Sequence, residues 1–399
     1  MKDSVFVYRN TEAAAGGGLL KDLRIAIQPN ISAAGWPTEA GSNALVNFKA
    51  LEDATIVQRL RQAGGYICGS TRMSEFGFGL QDSSAGEALR QKEADLELVL
   101  DLMGESRLAA QRASVCGFKP SYGLISRLGL IGLIPSMECC GVLSGSLRNI
   151  RDILKAVAGP DELDFSLPNE GTPDFSTQKV DPKKTTIGLI TEALADLPAG
   201  QEKMFRASVD DLKKAGFSLR ELSLPDFSLF SLVHKIAGSV EASSCAGRYD
   251  SVRYGQRAAG AKNWNDMYLL SRGAAFGLLL KGYLLQGAFF QFERYNAYED
   301  ACRIRARLLN DMQRLTSQAD FLVLPLVDHD PSGTPASLAD TYAQFTSTIF
   351  ASVTGQPALY LPPAPGAAHS GFQLAGPRLS DGRLLALGEY LLNMRRGGK

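Results

Sequence analysis

Short apolar runs of strand length alternate along this chain with longer amphipathic stretches, and that alternation restricts the fold more than any other feature. Leu23 to Ile27 alternates apolar and polar positions like a strand and stops at Pro29, followed by a loop with Gly35, Pro37 and Gly41. Asp53 offers an N-cap to a helix with Ile56, Val57 and Leu60 on one face, and Gly64-Gly65 closes it before the apolar run Tyr66–Cys68. The rhythm returns as Thr185–Ile190 (strand), Gln201–Ala215 (helix), Ser218–Leu222 (strand) and Phe321–Pro325 (strand), which predicts a largely parallel sheet covered by helices. Residues 255 to 315 read as mainly helical. Glu87–Leu102, with Leu89, Leu96, Leu98, Val99 and Leu102 among Arg90, Lys92, Glu93, Asp95 and Glu97, reads as an amphipathic helix. Residues 1–20, Gly/Ala-rich with Gly16-Gly17-Gly18 near their end, read as a loosely held lead-in to one domain over 21–399. The Pro-, Asp- and Ser/Thr-rich stretch Asp161–Asp181 reads as an excursion, either a linker or a surface loop.

With 399 residues, 45% of them hydrophobic, the chain can bury a large core. Its 42 basic and 42 acidic residues cancel, so no overall field draws it to nucleic acid or an anionic bilayer, and direct nucleic-acid binding is not expected. Residues 1–20 lack a basic start with an apolar core, and no apolar run is long enough to span a bilayer, so a cytoplasmic protein without membrane attachment is expected. The six cysteines match neither a zinc pattern nor a small disulfide framework, and Cys139-Cys140 reads as a pair of buried thiols. His234, His329 and His369 are too scattered for a metal site, so neither metal nor cofactor is expected.

Three segments carry a family resemblance. GWPTEAGSNALVNFKALEDATIVQRLRQAGGYICGSTRMSEFGFG (35–79) resembles the stretch after the catalytic lysine of amidase-signature enzymes, and GFKPSYGLISRLGLIGLIPSM (117–137) the segment after their nucleophilic serine. EASSCAGRYDSVRYGQR (241–257) resembles a signature of the A subunit of the glutamyl-tRNA(Gln)/aspartyl-tRNA(Asn) amidotransferase, and YNAYEDACRIR (295–305) and GFQLAGPRLSDGRLLALGEYL (371–391) continue the match. The resemblance implies a single α/β domain with a mixed central sheet and helices on both faces. It also implies a relay in which a lysine, through a bridging serine, takes the proton of a second serine that attacks an amide. Backbone N–H groups of a glycine-rich loop then hold the oxyanion.

At the positions implied by that resemblance the residues differ. Gln28 stands for the lysine, and an amide is no base near neutral pH. Ser83, in Gln81-Asp82-Ser83-Ser84-Ala85-Gly86, matches the bridging serine, but the segment separating this loop from Glu75-Phe76 is almost absent. In Asp101-Leu102-Met103-Gly104-Glu105-Ser106-Arg107, Glu105 falls on the nucleophile, Met103 replaces a glycine of the oxyanion loop, and Ser106 is the fallback nucleophile. Residues implied to bind glutamine map near His234-Lys235, onto Gly282-Tyr283 and near Phe345. Arg248, Tyr249, Asp250, Arg253 and Tyr254 form the strongest remaining polar group, read as a structural ion pair with packed rings or, alternatively, as a ligand site.

These substitutions favour a pseudo-amidase: a catalytically inactive homologue acting as a binding or assembly module, with a protein partner of amidotransferase-complex type. One alternative is an amidase, or a glutamyl-tRNA amidotransferase A subunit, with a rearranged triad using Ser106 or Glu105. Another is an A subunit that has lost glutaminase activity.

Overall fold

The computed structural model describes residues 5–12, 17–168, 170–195, 197–327, 337–364, 366 and 369–397; Gly16 and His329 lie outside them. Among the described residues, eleven strands form one sheet: β1 (Phe6–Arg9), β2 (Arg24–Ile27), β3 (Tyr66–Thr71), β4 (Leu96–Asp101), β5 (Cys116–Lys119), β6 (Cys139–Ser144), β7 (Thr186–Ile190), β8 (Ser218–Leu222), β9 (Phe321–Pro325), β10 (Ala358–Leu361) and β11 (Phe372–Ala375). Their spatial order is β1-β3-β2-β4-β6-β5-β10-β11-β9-β7-β8.

The sheet is mixed, but its parallel pairings are confined to two wings, β3-β2-β4 and β9-β7-β8. Every pairing between the wings is antiparallel, as is that of β1 with β3. "Largely parallel" therefore describes the wings alone. The sequence rhythm comes from those βαβ units, where a helical crossover forces parallel strands; the central strands are joined by connections that allow reversal.

Three local expectations change. Val5 and Phe6 are buried and β1 pairs with β3, so Phe6–Arg9 is an edge strand of the sheet and not a loose lead-in. Asp53 does not cap the helix Thr55–Gln62: the N-cap is Ala54, while Asp53 accepts from Ala34 N at 2.7 Å and pairs with Arg61. The expected helix over Glu87–Leu102 is a single turn, Glu87–Arg90, followed by β4, all of whose residues are buried. Leu96 and Leu98 belong to one hydrophobic cluster and Val99 to another, the period-two pattern of a strand buried on both faces. Charges at 92, 93 and 95 in the connecting turn give that window its helical look.

The two faces divide the molecule. Ile25, Ile27, Leu96, Leu98, Phe118, Val142, Leu359 and Leu374 pack in one cluster with residues of the helices Thr55–Gln62, Leu147–Val157 and Ala199–Lys214. Over the other face lies the helix Glu105–Ala113, which approaches the sheet on glycines: a Cβ at Gly141 would be 2.5 Å from Ser106 Cβ, and one at Gly117 2.6 Å from Ala110 Cβ. Cys139 and Cys140 are buried on β6, and burial pushes both thiols upward.

Glu97, in the middle of β4, is fully buried with no cationic partner among the described residues. It accepts from Thr71 Oγ1 at 2.7 Å and Gly86 N at 2.6 Å, and burial outweighs both bonds to push its carboxyl up to about 7. The folded chain thus keeps this proton where the unfolded chain, at the ordinary value of 4.5, has lost it. The stability tied to the proton is complete below pH 4.5 and is lost as pH rises through about 7. Glu97→Gln keeps the shape and removes the titration, so it is expected to stabilise the protein by up to about 3 kcal/mol at pH 8 and little at pH 4.5. Urea unfolding at both pH values checks this, and an equal effect at both would refute it.

Candidate functional site

Gln28 and Glu105 meet the same strand end. Gln28 follows β2, is buried, and its Oε1 accepts from Leu100 N at 2.8 Å. Glu105 opens the helix that follows β4. Its side chain turns back over the preceding loop, where Oε2 accepts from Leu102 N (2.8 Å), Met103 N (2.7 Å) and Gly104 N (3.1 Å). Its Oε1 accepts from Gly79 N at 3.3 Å. Gly104 allows the tight turn, with φ at +124° and no room for a Cβ, which would fall 2.2 Å from Thr348 Oγ1.

This arrangement is a backbone anion nest at a helix N-terminus, filled by the chain's own carboxyl group. Burial and then nearby Asp101 push the Glu105 carboxyl up to about 8, against the pull of the N–H donors. Oε2, with three donors, is the oxygen that carries charge on ionisation, and Oε1, with one long bond, is the one open to a proton. In either state Oε2 occupies the donors.

Ser83 joins neither residue. Its hydroxyl donates to Arg72 O at 3.4 Å and accepts from Ala85 N at 3.2 Å, as in a turn, and Ser84 donates to Val5 O at 2.8 Å. Ser106 is fully buried, its hydroxyl donating to Asp101 Oδ2 and its Cβ pressed towards Gly141 on β6. Asp101 Oδ1 has no hydrogen-bond partner among the described residues. Arg107 is also buried, reaching Gln373 Oε1 at 2.8 Å and Thr348 O at 3.0 Å.

The volume next to the nest is filled with rings. Phe78 points inward, its ring stacked on Tyr283 at 4.4 Å. Tyr342 OH lies 3.0 Å from Tyr283 OH and 2.9 Å from His234 Nδ1. His234 Nε2 lies 3.1 Å from Leu102 O, and since a carbonyl only accepts, Nε2 carries the proton. Burial drives His234 down to about 3, so it is neutral around physiological pH. His234, Tyr283, Tyr342 and Phe345 are all essentially inaccessible. Of the positions implied for glutamine recognition, His234, Tyr283 and Phe345 are buried close together, Lys235 places its Nζ 5.0 Å from the Tyr342 ring, and Gly282 lies half-buried on the outer side of its helix.

Within the arginine-tyrosine group, Asp250 and Arg253 pair with each other. Asp250 accepts from Val252 N and Arg253 N, each at 2.9 Å, and pairs with Arg253 Nη2 at 2.8 Å; the Arg253 and Val252 N–H groups hold its carboxyl down at about 2. Arg248 Nε donates to Cys245 O, and the Tyr249 ring lies 5.0 Å from Phe76. Tyr249 and Asp250 are buried, while Arg248, Arg253 and Tyr254 face solvent without converging on a cavity. Elsewhere, a cleft of about 450 Å³ opens at the carboxyl ends of β7, β8 and β9, lined by Glu192, Phe227, Ser228, Ser231, Thr346 and Ser347. Nothing in the sequence points to that cleft, since no motif marks scattered serines and threonines. Among the described residues no cluster of His, Cys, Asp or Glu could hold a metal, and no helix is long and apolar enough to cross a membrane.

A mixed sheet between helical layers, with a loop of backbone donors leading from β4 into a buried helix, is the architecture of an amidase scaffold, and the chain belongs to the amidase family. That family's sequence model matches residues 8–87 and 104–385. Among its relatives, the A subunit of the glutamyl-tRNA(Gln) amidotransferase of Natronomonas pharaonis is 31% identical over 422 residues, covering 98% of this chain and 100% of that protein. The protein of the same name from Thermus thermophilus is 34% identical over 407 residues, covering 94% and 85%. In three dimensions, the corresponding glutamyl-tRNA(Gln) amidotransferase protein from Thermotoga maritima superposes with a TM-score of 0.80 at 22% identity, covering 96% of this chain and 86% of that one. The peptide amidase of Stenotrophomonas maltophilia gives 0.76 at 23% identity, covering 95% and 84%. These two likenesses establish the shared fold.

Proposed function

We propose that this chain is a catalytically silent amidase-family protein that works as a binding or assembly module, with a protein partner of amidotransferase-complex type. The observation that carries the reading is the Glu105 carboxyl group in the N–H nest of Leu102, Met103 and Gly104. An oxyanion can be stabilised only by donors that are free when it forms, and these are taken. Gln28 supplies no base, and the rings of Phe78, Tyr283 and Tyr342 fill the adjoining space. The partner part of the reading rests on the relatives, each of which is named as one component of an amidotransferase. The cleft at the ends of β7, β8 and β9 suits a binding role, because ligands of open α/β sheets sit outside the carboxyl ends of parallel strands.

One observation favours a rearranged amidase: the Ser106 hydroxyl donates to the Asp101 carboxylate, a nucleophile-base contact. Against it, both groups are fully buried beneath the helix Glu105–Ala113. Purified protein given glutamine, asparagine and aryl amides, beside an active amidase, is expected to release no ammonia or acid above the buffer rate. Turnover that disappears in Ser106→Ala would establish the rearranged triad and end the silent reading.

A further inference from the structure

The helix Leu278–Phe292, LLLKGYLLQGAFFQF, has one charged residue in its 15 positions, Lys281. Its inner face, Leu280, Tyr283, Leu284 and Gly287, packs into the protein. There Gly287 has a local reason: a Cβ would lie 1.8 Å from Ser239 O, so the helix Ser239–Ala246 crosses it nearly backbone to backbone. The outer face is apolar as well. Leu278 is 88% exposed, Leu285 71%, Phe289 49% and Phe292 75%. A helix that is apolar all round is normally covered all round.

Gly282 lies on the same outer stripe and lacks such a reason. It is not at a positive φ, and among the described residues the nearest atom to a Cβ there would be Leu338 Cδ1, at 3.8 Å, an ordinary contact. A glycine inside a helix costs roughly 0.5–1 kcal/mol relative to alanine. Positions 278, 282, 285, 289 and 292 follow one another at steps of four and three, the spacing of a helix-pairing seam.

We propose that this stripe is the interface of a homodimer, in which the helix Leu278–Phe292 packs antiparallel against the same helix of a second copy about a two-fold axis at Leu285. The sizes are self-complementary in that arrangement and in no parallel one. Leu285 meets Leu285, each Leu278 meets the other copy's Phe292, and each Phe289 ring enters the gap left by the other copy's Gly282. Because the seam carries no charge, two copies bring no ions to desolvate, while an acidic or basic partner would find nothing to pair with. A bilayer surface is a poorer occupant, since interfacial helices need a strongly charged face opposite the apolar one, and here that opposite face is buried in the core. With Tyr295, 53% exposed, at its end, the stripe offers on the order of 500 Å² per copy, below the roughly 800 Å² of a standard interface. An area at that low end marks a weak, reversible association.

Sedimentation of the full chain from ~1 to ~100 µM tests this. The mass is expected to rise from 42.9 kDa towards twice that value. Leu285→Glu, at an exposed site, is expected to melt like the parent and to associate at least about tenfold more weakly. Gly282→Ala puts a methyl group into the gap for Phe289, where its only contact in the described chain is an ordinary 3.8 Å from Leu338 Cδ1, so its fold is expected to be kept, with weakened association. A parent that stays monomeric up to ~100 µM would overturn the proposal, as would both variants dimerising like the parent. Binding of the monomer to phosphatidylglycerol vesicles without self-association would assign the face to a membrane instead.

Discussion

Ile25→Asp is expected to abolish the native state. Ile25 is fully buried on β2, in register with Ile67 of β3 on one side and Leu96 of β4 on the other. Its Cδ1 lies so close to Gly65 that a Cβ there would come within 2.8 Å. A carboxylate at this point finds no donor or cation among the apolar neighbours of that cluster, and leaving it unpaired costs several kcal/mol in addition to the lost apolar burial. Since domains of this kind are stable by only about 5–15 kcal/mol, the sum is enough to unfold most of the population. Circular dichroism and thermal melting check the outcome. A variant that melts within a few degrees of the parent would place β2 outside the cooperative core.

The second large effect is an absence. Installing the side chains that the resemblance implies, with Gln28→Lys, Met103→Gly and Glu105→Ser, is expected to leave glutamine and aryl-amide turnover at background, at least about 10⁶-fold below an active amidase. Removing Glu105 frees the N–H groups of Leu102, Met103 and Gly104, and the new serine would sit at the right point of the loop. Yet Ser83, the bridging serine that the resemblance implies, has its hydroxyl engaged by Arg72 O and Ala85 N. The lysine introduced by Gln28→Lys would also enter a buried position whose present side chain satisfies Leu100 N. Above all, Phe78, Tyr283, Tyr342 and His234 fill the space beside that loop. Catalytic groups must be held to about 0.5 Å by their supporting shell, and three point changes do not move four packed rings. Measurable ammonia release by the folded triple variant would mean the scaffold is still poised for catalysis.

β2, β3, β7, β8 and β9, with the helices Thr55–Gln62 and Ala199–Lys214, are legible in the sequence because each carries a complete local pattern. Ser218–Leu222 and Phe321–Pro325 appear with the boundaries that the pattern predicts, and the βαβ wings follow from their rhythm. β4 looks helical in the sequence because a strand buried on both faces loses its apolar-polar alternation, and the flanking charges supply a helical period instead. β1 is hidden because four residues carry too little pattern to stand out from a Gly/Ala-rich stretch.

At the site, the linear chain shows which residues are present: an amide at 28, a carboxyl group at 105, serines at 83 and 106, and the family to which the surrounding segments belong. Those identities follow from motifs contiguous in the chain. What the residues do is set in three dimensions. That Glu105 turns back into the N–H groups of its own loop depends on Gly104 adopting φ +124° and on Gly79, 26 residues away, adding a fourth donor. That Ser106 is sealed against β6, and that His234, Tyr283 and Tyr342 converge beside Leu102, depends on helices more than a hundred residues apart packing over one face of the sheet. A linear pattern records which side chains are available; their burial, and hence their chemistry, is set by what the fold brings against them.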